Sequence, residues 1–314
     1  MNAISNPVLR GFNPDPSIVK VGDDFFIATS TFEWFPGVQI HHSRDLVNWR
    51  LAARPLARAT QLDMRGNPDS CGVWAPDISY VNGRYRLYYS VSTFGSNRSA
   101  IGLATSPTLD PKAPDFGWRD EGLVVMSTKD DDYNAIDPNF IIDRDGRHWL
   151  TLGSFWTGIK LFELDPETGK PKDPKAKPLS IARRPAPAGG PAPVEAPFII
   201  DHGGYYWLMV SYDYCCKGVN SSYYTVIGRS KDITGPYLGK DGSKLMEGGG
   251  TIFIRADLQE QQRWRGPGHA GWLHDVDGKN GDGRDYVVYH AYDKQADGAP
   301  TLRIAPVTWG ADGW

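Results

Sequence analysis

Thiols are scarce in this chain: its 314 residues hold three cysteines, Cys71, Cys215 and Cys216, and the last two are neighbours. An odd count with an adjacent pair implies no disulfide framework, so a reducing, cytoplasmic compartment is the simplest expectation. The start, MNAISNPVLRGFNPDPSI, lacks the basic and apolar stretches of a signal peptide, which adds to that expectation. Charge of one sign is lacking as well. With 34 basic and 37 acidic residues the formal net charge is -3, which offers a polyphosphate no cationic field, so nucleic acid is not an expected partner. No apolar run approaches the roughly 18 to 20 residues that span a bilayer, so no membrane partner is expected. Long helix-forming runs are few. Hydrophobic content of 40% beside 23% charged residues argues against disorder. What the chain does hold is Trp 11, Tyr 15 and Phe 12 beside Gly 35 and Pro 24, the balance of a turn-rich all-β protein whose aromatics suit sugar rings.

One pattern recurs five times. A turn glycine precedes an aromatic and aliphatic run: Gly22 in VGDDFFIATS, Gly83 in NGRYRLYYSVS, Gly146 in DGRHWLTLGSF, Gly204 in HGGYYWLMVSYD and Gly283 in DGRDYVVYHAY. The intervals are roughly 60 residues, and the last is roughly 80 because HDVDGKNGDGRD lengthens its turn. Before each turn stands a β-rich run (DPSIVKV, APDISYV, DPNFIID, APFIID, HAGWLHD), so each glycine marks a hairpin. A third run, and in several repeats a fourth, follows each hairpin. Four short strands in roughly 60 residues, five times over, predict an all-β fold, a five-bladed β-propeller forming one domain over residues 1-314. A pair of β-sandwiches is the competing reading, and the fivefold register argues against it. The Pro/Ala-rich stretch 169–194 resembles a linker in composition but reads as a long inter-blade loop.

In a propeller the first strand of each blade lines the central channel, so equivalent positions meet there although they are distant in sequence. Registering the repeats on the turn glycine and on proline selects Asp15, Trp74, Asp137, Glu195 and His269. An Asp before Pro often only caps a turn. Three acids in one register point to a site instead. Carboxylates crowded in a funnel repel one another, which raises at least one pKa. Such an arrangement suits glycoside hydrolysis, in which one carboxylic acid protonates the leaving oxygen and one carboxylate acts on the opposite face; a third can orient the acid and keep it protonated. Trp74 is the expected stacking platform for a sugar ring. His269, in GPGHAG, and His290, in VVYHAYD, are lone histidines of a type that is more often structural, and His290 is the weaker candidate.

On these motifs the chain resembles glycoside hydrolase family 43. The resemblance covers the whole chain and implies an inverting five-bladed propeller: NPDPSI makes Asp15 the catalytic base, NAIDPNF makes Asp137 the modulator of pKa, and VEAPF makes Glu195 the general acid. Residues 1-73, with TFEWFPGVQIHHSRDLVNW, look like the first blade of the family's β-xylosidases. Residues 74-314, with YDYCCKGVNSSYY, EGGGT and GPGH, look like an α-1,5-arabinanase. The change falls at WAPDISY, as it would in a recombinant chimera. Gly298-Ala299-Pro300 stands where those xylosidases carry a sugar-contacting Arg. The resemblance therefore implies cleavage of α-1,5-linked arabinofuranosyl chains or oligosaccharides, with plant cell-wall polysaccharide as partner. Its alternatives are β-xylosidase or exo-α-L-arabinofuranosidase action, or a carbohydrate-binding propeller without turnover. Phe35, Phe155 and Trp156 join Trp74 as candidate substrate-binding aromatics. In arabinanases the GPGH histidine helps hold a metal, usually calcium, with waters. That carries over to His269 as the candidate Ca2+ ligand, and no organic cofactor is implied. Calcium prefers oxygen donors, so one imidazole with waters would make a weak, solvent-rich site.

Overall fold

The computed structural model describes residues 4–57, 72–188, 190–256, 263–274 and 283–314. Its strands form five antiparallel meanders. Blade 1 holds β1 (Ser17–Val21), β2 (Asp24–Thr29), β3 (Gln39–Ser43) and β4 (Arg50–Ala53). Blade 2 holds β5 (Gly72–Val81), β6 (Arg84–Ser92), β7 (Ser99–Ser106) and β8 (Arg119–Ser127). Blade 3 holds β9 (Asn139–Ile142), β10 (His148–Leu152), β11 (Ile159–Leu164) and β12 (Leu179–Ala182). Blade 4 holds β13 (Val194–His202), β14 (Tyr205–Tyr212), β15 (Tyr224–Ser230) and β16 (Thr251–Ile254). Blade 5 holds β17 (Trp264–His274), β18 (Asp285–Asp293) and β19 (Ala299–Val307). First strands touch in succession, β1 to β5, β9, β13, β17 and back to β1, which closes a five-bladed β-propeller. The stretch 169–194 is not wholly a loop, because β12 lies within it. Among the described residues no helix is long and apolar enough to cross a membrane.

The five turn glycines do what the repeat requires. Gly22, Gly83, Gly146 and Gly204 have positive φ, the left-handed conformation that a tight hairpin needs and that a side chain resists, and Gly283, just before β18, has it too. Side chains alternate across each strand, so every inner sheet packs on both faces. On β14, Tyr206, Leu208 and Val210 pack toward blade 3, while Trp207 and Met209 pack toward blade 5. The core is therefore five apolar wedges between blades. Each large side chain buried there contributes about 1.5–3 kcal/mol.

Two features position the site. The three-stranded fifth blade is edged by the N-terminal segment through a β-bridge: Val8 N donates to Leu302 O at 2.9 Å and Leu302 N to Leu9 O at 3.0 Å. The Asn6 side chain adds bonds to and from Ile304 at 2.7 and 2.9 Å. Joining the two ends of the chain in one blade locks the ring. Near the axis, buried Asp77 accepts from Ser17 Oγ (2.9 Å), Asn139 Nδ2 (3.3 Å) and Phe140 N (2.9 Å), and so ties blades 1, 2 and 3. Burial pushes its pKa up to about 6 in spite of those donors.

Candidate active site

Four of the five first strands carry the same break at the channel mouth: Asp15, Ala75, Asp137 and Ala196 have positive φ, each followed by proline. In the fifth, His269 has positive φ and is followed by Ala270. Pairing shifts at these points between Trp74 and Asp77, between Glu195 and Phe198, and between Gly268 and Gly271. These are β-bulges, where proline removes no ladder bond and a side chain is re-aimed. A non-glycine residue held this way costs about 1–3 kcal/mol, so its surroundings must fix it. Trp74 and Glu195 stand one residue before the kinked position that Asp15, Asp137 and His269 occupy. All five nonetheless line one cavity of about 670 Å³.

A ring of bonds between blades does the fixing. The donor or acceptor sits on or just beyond the second strand of each blade. Ser30 Oγ accepts from Ala75 N at 2.6 Å, Ser90 Oγ from Asp137 N at 3.0 Å, and Ser211 Oγ from His269 N at 2.9 Å. Ser154 Oγ donates to Glu195 Oε2 at 2.8 Å, and His290 Nδ1 accepts from Asp15 N at 3.1 Å. Sequence reasoning missed the four serines and ranked His290 low. The signal was present, since each stands seven or eight residues after its turn glycine.

The three acids differ in charge state because their surroundings differ. Burial alone would raise Asp15, but His269 Nδ1 at 3.2 Å and the Ser30 hydroxyl at 2.6 Å outweigh it and hold it at about 2. In return His269, which burial would depress, is raised to about 9, chiefly by Asp15. Glu195 accepts from Tyr223 Oη and Ser154 Oγ, both at 2.8 Å, yet burial wins and its pKa rises. Burial also raises Asp137, and the charges of Glu195 and Asp15 push the same way. Asp137 Oδ2 accepts from Ala196 N at 3.1 Å, which sets it against the Glu195 backbone. One cavity thus holds a carboxylate kept ionised and a coupled pair of carboxyls whose pKa values are raised, the separation that an acid and a base need.

Trp74, Phe155 and Trp156 line the cavity as expected, together with Phe32 and Phe94. Trp74 lies 4.8 Å from Phe94 and 5.8 Å from Phe32, centroid to centroid. Phe35 does not line it. Its ring packs on the wedge between blades 1 and 2, while Phe32 is pinned beside Trp74 by backbone bonds to Val73 of 3.1 and 3.0 Å. A Cβ at Gly72 would fall on the Trp74 indole, and one at Gly268 on the Tyr223 ring, so both glycines leave room for site aromatics.

The cysteine reading needs correction: Cys215 and Cys216 are joined as a vicinal disulfide, and both line the cavity. Cys71 lies outside the described residues. For a metal, no group of three or more His, Cys, Asp or Glu is arranged as a ligand set among the described residues. His269 offers one imidazole beside the Asp15 carboxylate, so a hard cation there would draw most of its oxygens from water.

Comparison with known proteins fits this geometry. The chain is 44% identical over 303 residues to the extracellular endo-α-(1→5)-L-arabinanase 1 of Bacillus subtilis (strain 168), covering 96% of this chain and 86% of that one. It is 39% identical over 310 residues to the extracellular exo-α-(1→5)-L-arabinofuranosidase ArbA of Cellvibrio japonicus, covering 96% and 84%. Likeness to these proteins is therefore not confined to residues 74-314. The solved Cellvibrio cellulosa α-L-arabinanase complexed with arabinohexaose superposes with a TM-score of 0.87 at 37% identity, covering 98% of this chain and 95% of that one. Both sequence relatives are named as extracellular, which overturns the expectation of a cytoplasmic protein. An oxidised cysteine pair accords with that correction. The model of glycosyl hydrolases family 43 matches residues 4–314, and with these relatives it shows that the chain belongs to that family of inverting hydrolases of O-glycosyl bonds.

Proposed function

We propose that the chain hydrolyses α-1,5-linked arabinofuranosyl chains or oligosaccharides, the material of plant arabinan. Asp15 activates water, Glu195 protonates the departing sugar oxygen, and Asp137 holds and tunes Glu195. The observation that carries this reading is the opposed setting of Asp15 and Glu195 in one cavity: a carboxylate ion-paired with His269 and a carboxyl whose pKa burial raises. Trp74 supplies the face for a sugar ring, with Phe155 and Trp156 beside it. The relatives' names support arabinan over xylan as the substrate. Calcium, if bound, would be held by His269 and water, and its contribution would be local positive charge in the channel. Product analysis on linear arabinan and on xylobiose tests the reading. Arabino-oligosaccharides or arabinose should form, with the β-anomer first by proton NMR. Preference for xylobiose, or binding without hydrolysis by the unmodified chain, would overturn it. A rate that survives exhaustive chelation unchanged would remove calcium from the proposal.

The indole slot gives a narrower expectation. Gly72→Ala should push Trp74 out of its place and raise KM for arabino-oligosaccharides about tenfold, with a smaller change in kcat, because stacking is lost while the acids stay. Initial-rate kinetics check it.

A further inference from the structure

In four blades the residue that ties the second strand to the neighbouring bulge is serine; in the fifth it is His290. A serine hydroxyl rotates to suit its partner. An imidazole has to be held in one tautomer, and something must hold it. His290 is buried and, because burial outweighs the Asp15 charge, neutral. Its Nδ1 accepts from Asp15 N at 3.1 Å, so the proton sits on Nε2. Nε2 lies 3.2 Å from Tyr292 Oη. That oxygen also accepts from Cys216 N at 2.7 Å, and its own hydrogen has Cys216 Sγ at 3.9 Å and the Ser221 hydroxyl within reach. With His290 Nε2–H and Cys216 N–H as donors to Tyr292 Oη, the phenol proton is left for Cys216 Sγ or the Ser221 hydroxyl, and every donor in the relay has an acceptor. Cys216 reaches this position with positive φ, next to the disulfide bond that joins it to Cys215.

We infer that the Cys215–Cys216 disulfide is a positioning element of the hydrolytic site: through Tyr292 it holds His290 as the Nε2–H tautomer, which leaves a lone pair toward Asp15. With the other tautomer, Nδ1–H would lose the Asp15 N–H bond and turn a donor toward Asp15 Oδ1, now 3.6 Å away. The base would then be both displaced and weakened by a new hydrogen bond. Cys216 is exposed on the cavity wall, so a small dithiol can reach it. Reduction by dithiothreitol transfers two electrons and two protons to the cystine, leaves two thiols, and oxidises the reagent to its cyclic disulfide.

The inference rests on the hydrolase reading, and the test separates the two. The folded, unmodified chain is treated with dithiothreitol, and titratable thiols should rise by two per chain. On arabino-oligosaccharide, kcat should then fall about tenfold with KM changed less than twofold, and reoxidation should restore it. Cys215→Ala/Cys216→Ala should show the same loss and no response to the reagent. Tyr292→Phe should match that loss, and the triple variant should lose no more, since all remove one relay. Nitrogen NMR of the His290 ring reads the tautomer without any turnover: Nε2–H when oxidised, mixed when reduced. An inactive chain whose His290 still changes tautomer would sink the hydrolase reading and keep the inference. An unchanged tautomer and kcat on full reduction would overturn the inference, as would a rise in KM alone, which would make the disulfide a direct sugar contact.

Discussion

Glu195→Gln should lower kcat on α-1,5-arabino-oligosaccharides by about a hundred- to ten-thousandfold, while an aryl arabinofuranoside with a strongly acidic phenol should lose less than about tenfold. A glutamine keeps the shape and the Tyr223 and Ser154 contacts but has no proton to give. A natural sugar alkoxide cannot leave without that proton; an acidic phenolate can. Steady-state rates on the two substrates measure the split, and equal losses on both would deny Glu195 the acid role. In the unmodified chain the rate should fall as pH rises through the Glu195 pKa, which burial holds above its ordinary 4.5. Asp137→Asn removes a neighbouring carboxyl, so this alkaline limb should move to lower pH.

The same substitution has a stability consequence of definite sign. A carboxyl whose pKa is higher folded than unfolded binds its proton more tightly in the folded state, so its contribution is fully present below about 4.5 and is lost as pH rises through the folded value. Glutamine does not titrate. The melting temperature of Glu195→Gln relative to the unmodified chain should therefore climb with pH above about 4.5 and level off beyond the folded pKa. Thermal melts across pH check it.

Asp15→Asn should cost a comparable factor, about a hundred- to ten-thousandfold in kcat, but with no relief from a good leaving group, because the missing step is activation of water. Oligosaccharide binding should persist, since the Trp74 platform is untouched. The side chain accepts from Ser30 and faces His269, so asparagine keeps much of its setting and loses its charge. Joining this substitution to Glu195→Gln should cost less than the product of the two losses, because both serve one reaction. Loss of binding on Asp15→Asn, seen by calorimetry on an arabino-oligosaccharide, would make Asp15 a sugar contact.

Much of this was legible in the residues. Turn glycines repeat at near-constant spacing, and a hairpin cannot place a side chain at that φ without strain, so the blades could be counted. Asp15, Asp137 and Glu195 were found because proline marks each bulge. Phe35 was misplaced because the hydrophobic character of FEWFPG does not tell which ring turns inward; the bond between the Phe32 and Val73 backbones decides that. The cysteines were misread because counting assumes that neighbours do not pair. His290 was undervalued because its partners, Asp15 and Tyr292, are visible as partners only once the last blade meets the first.

Local periodicity and turn chemistry in the chain thus determined the fivefold sheet architecture and which side chains face the axis, because both depend on residues close in sequence. Only closure of the ring decided their chemistry. The charge of a carboxyl depends on burial and on neighbours brought from other blades: His269 keeps Asp15 ionised, while burial by the surrounding wall raises the Glu195 pKa against the hydrogen bonds from Tyr223 and Ser154. Those contacts arise from packing across the axis, over distances in sequence that no repeat encodes.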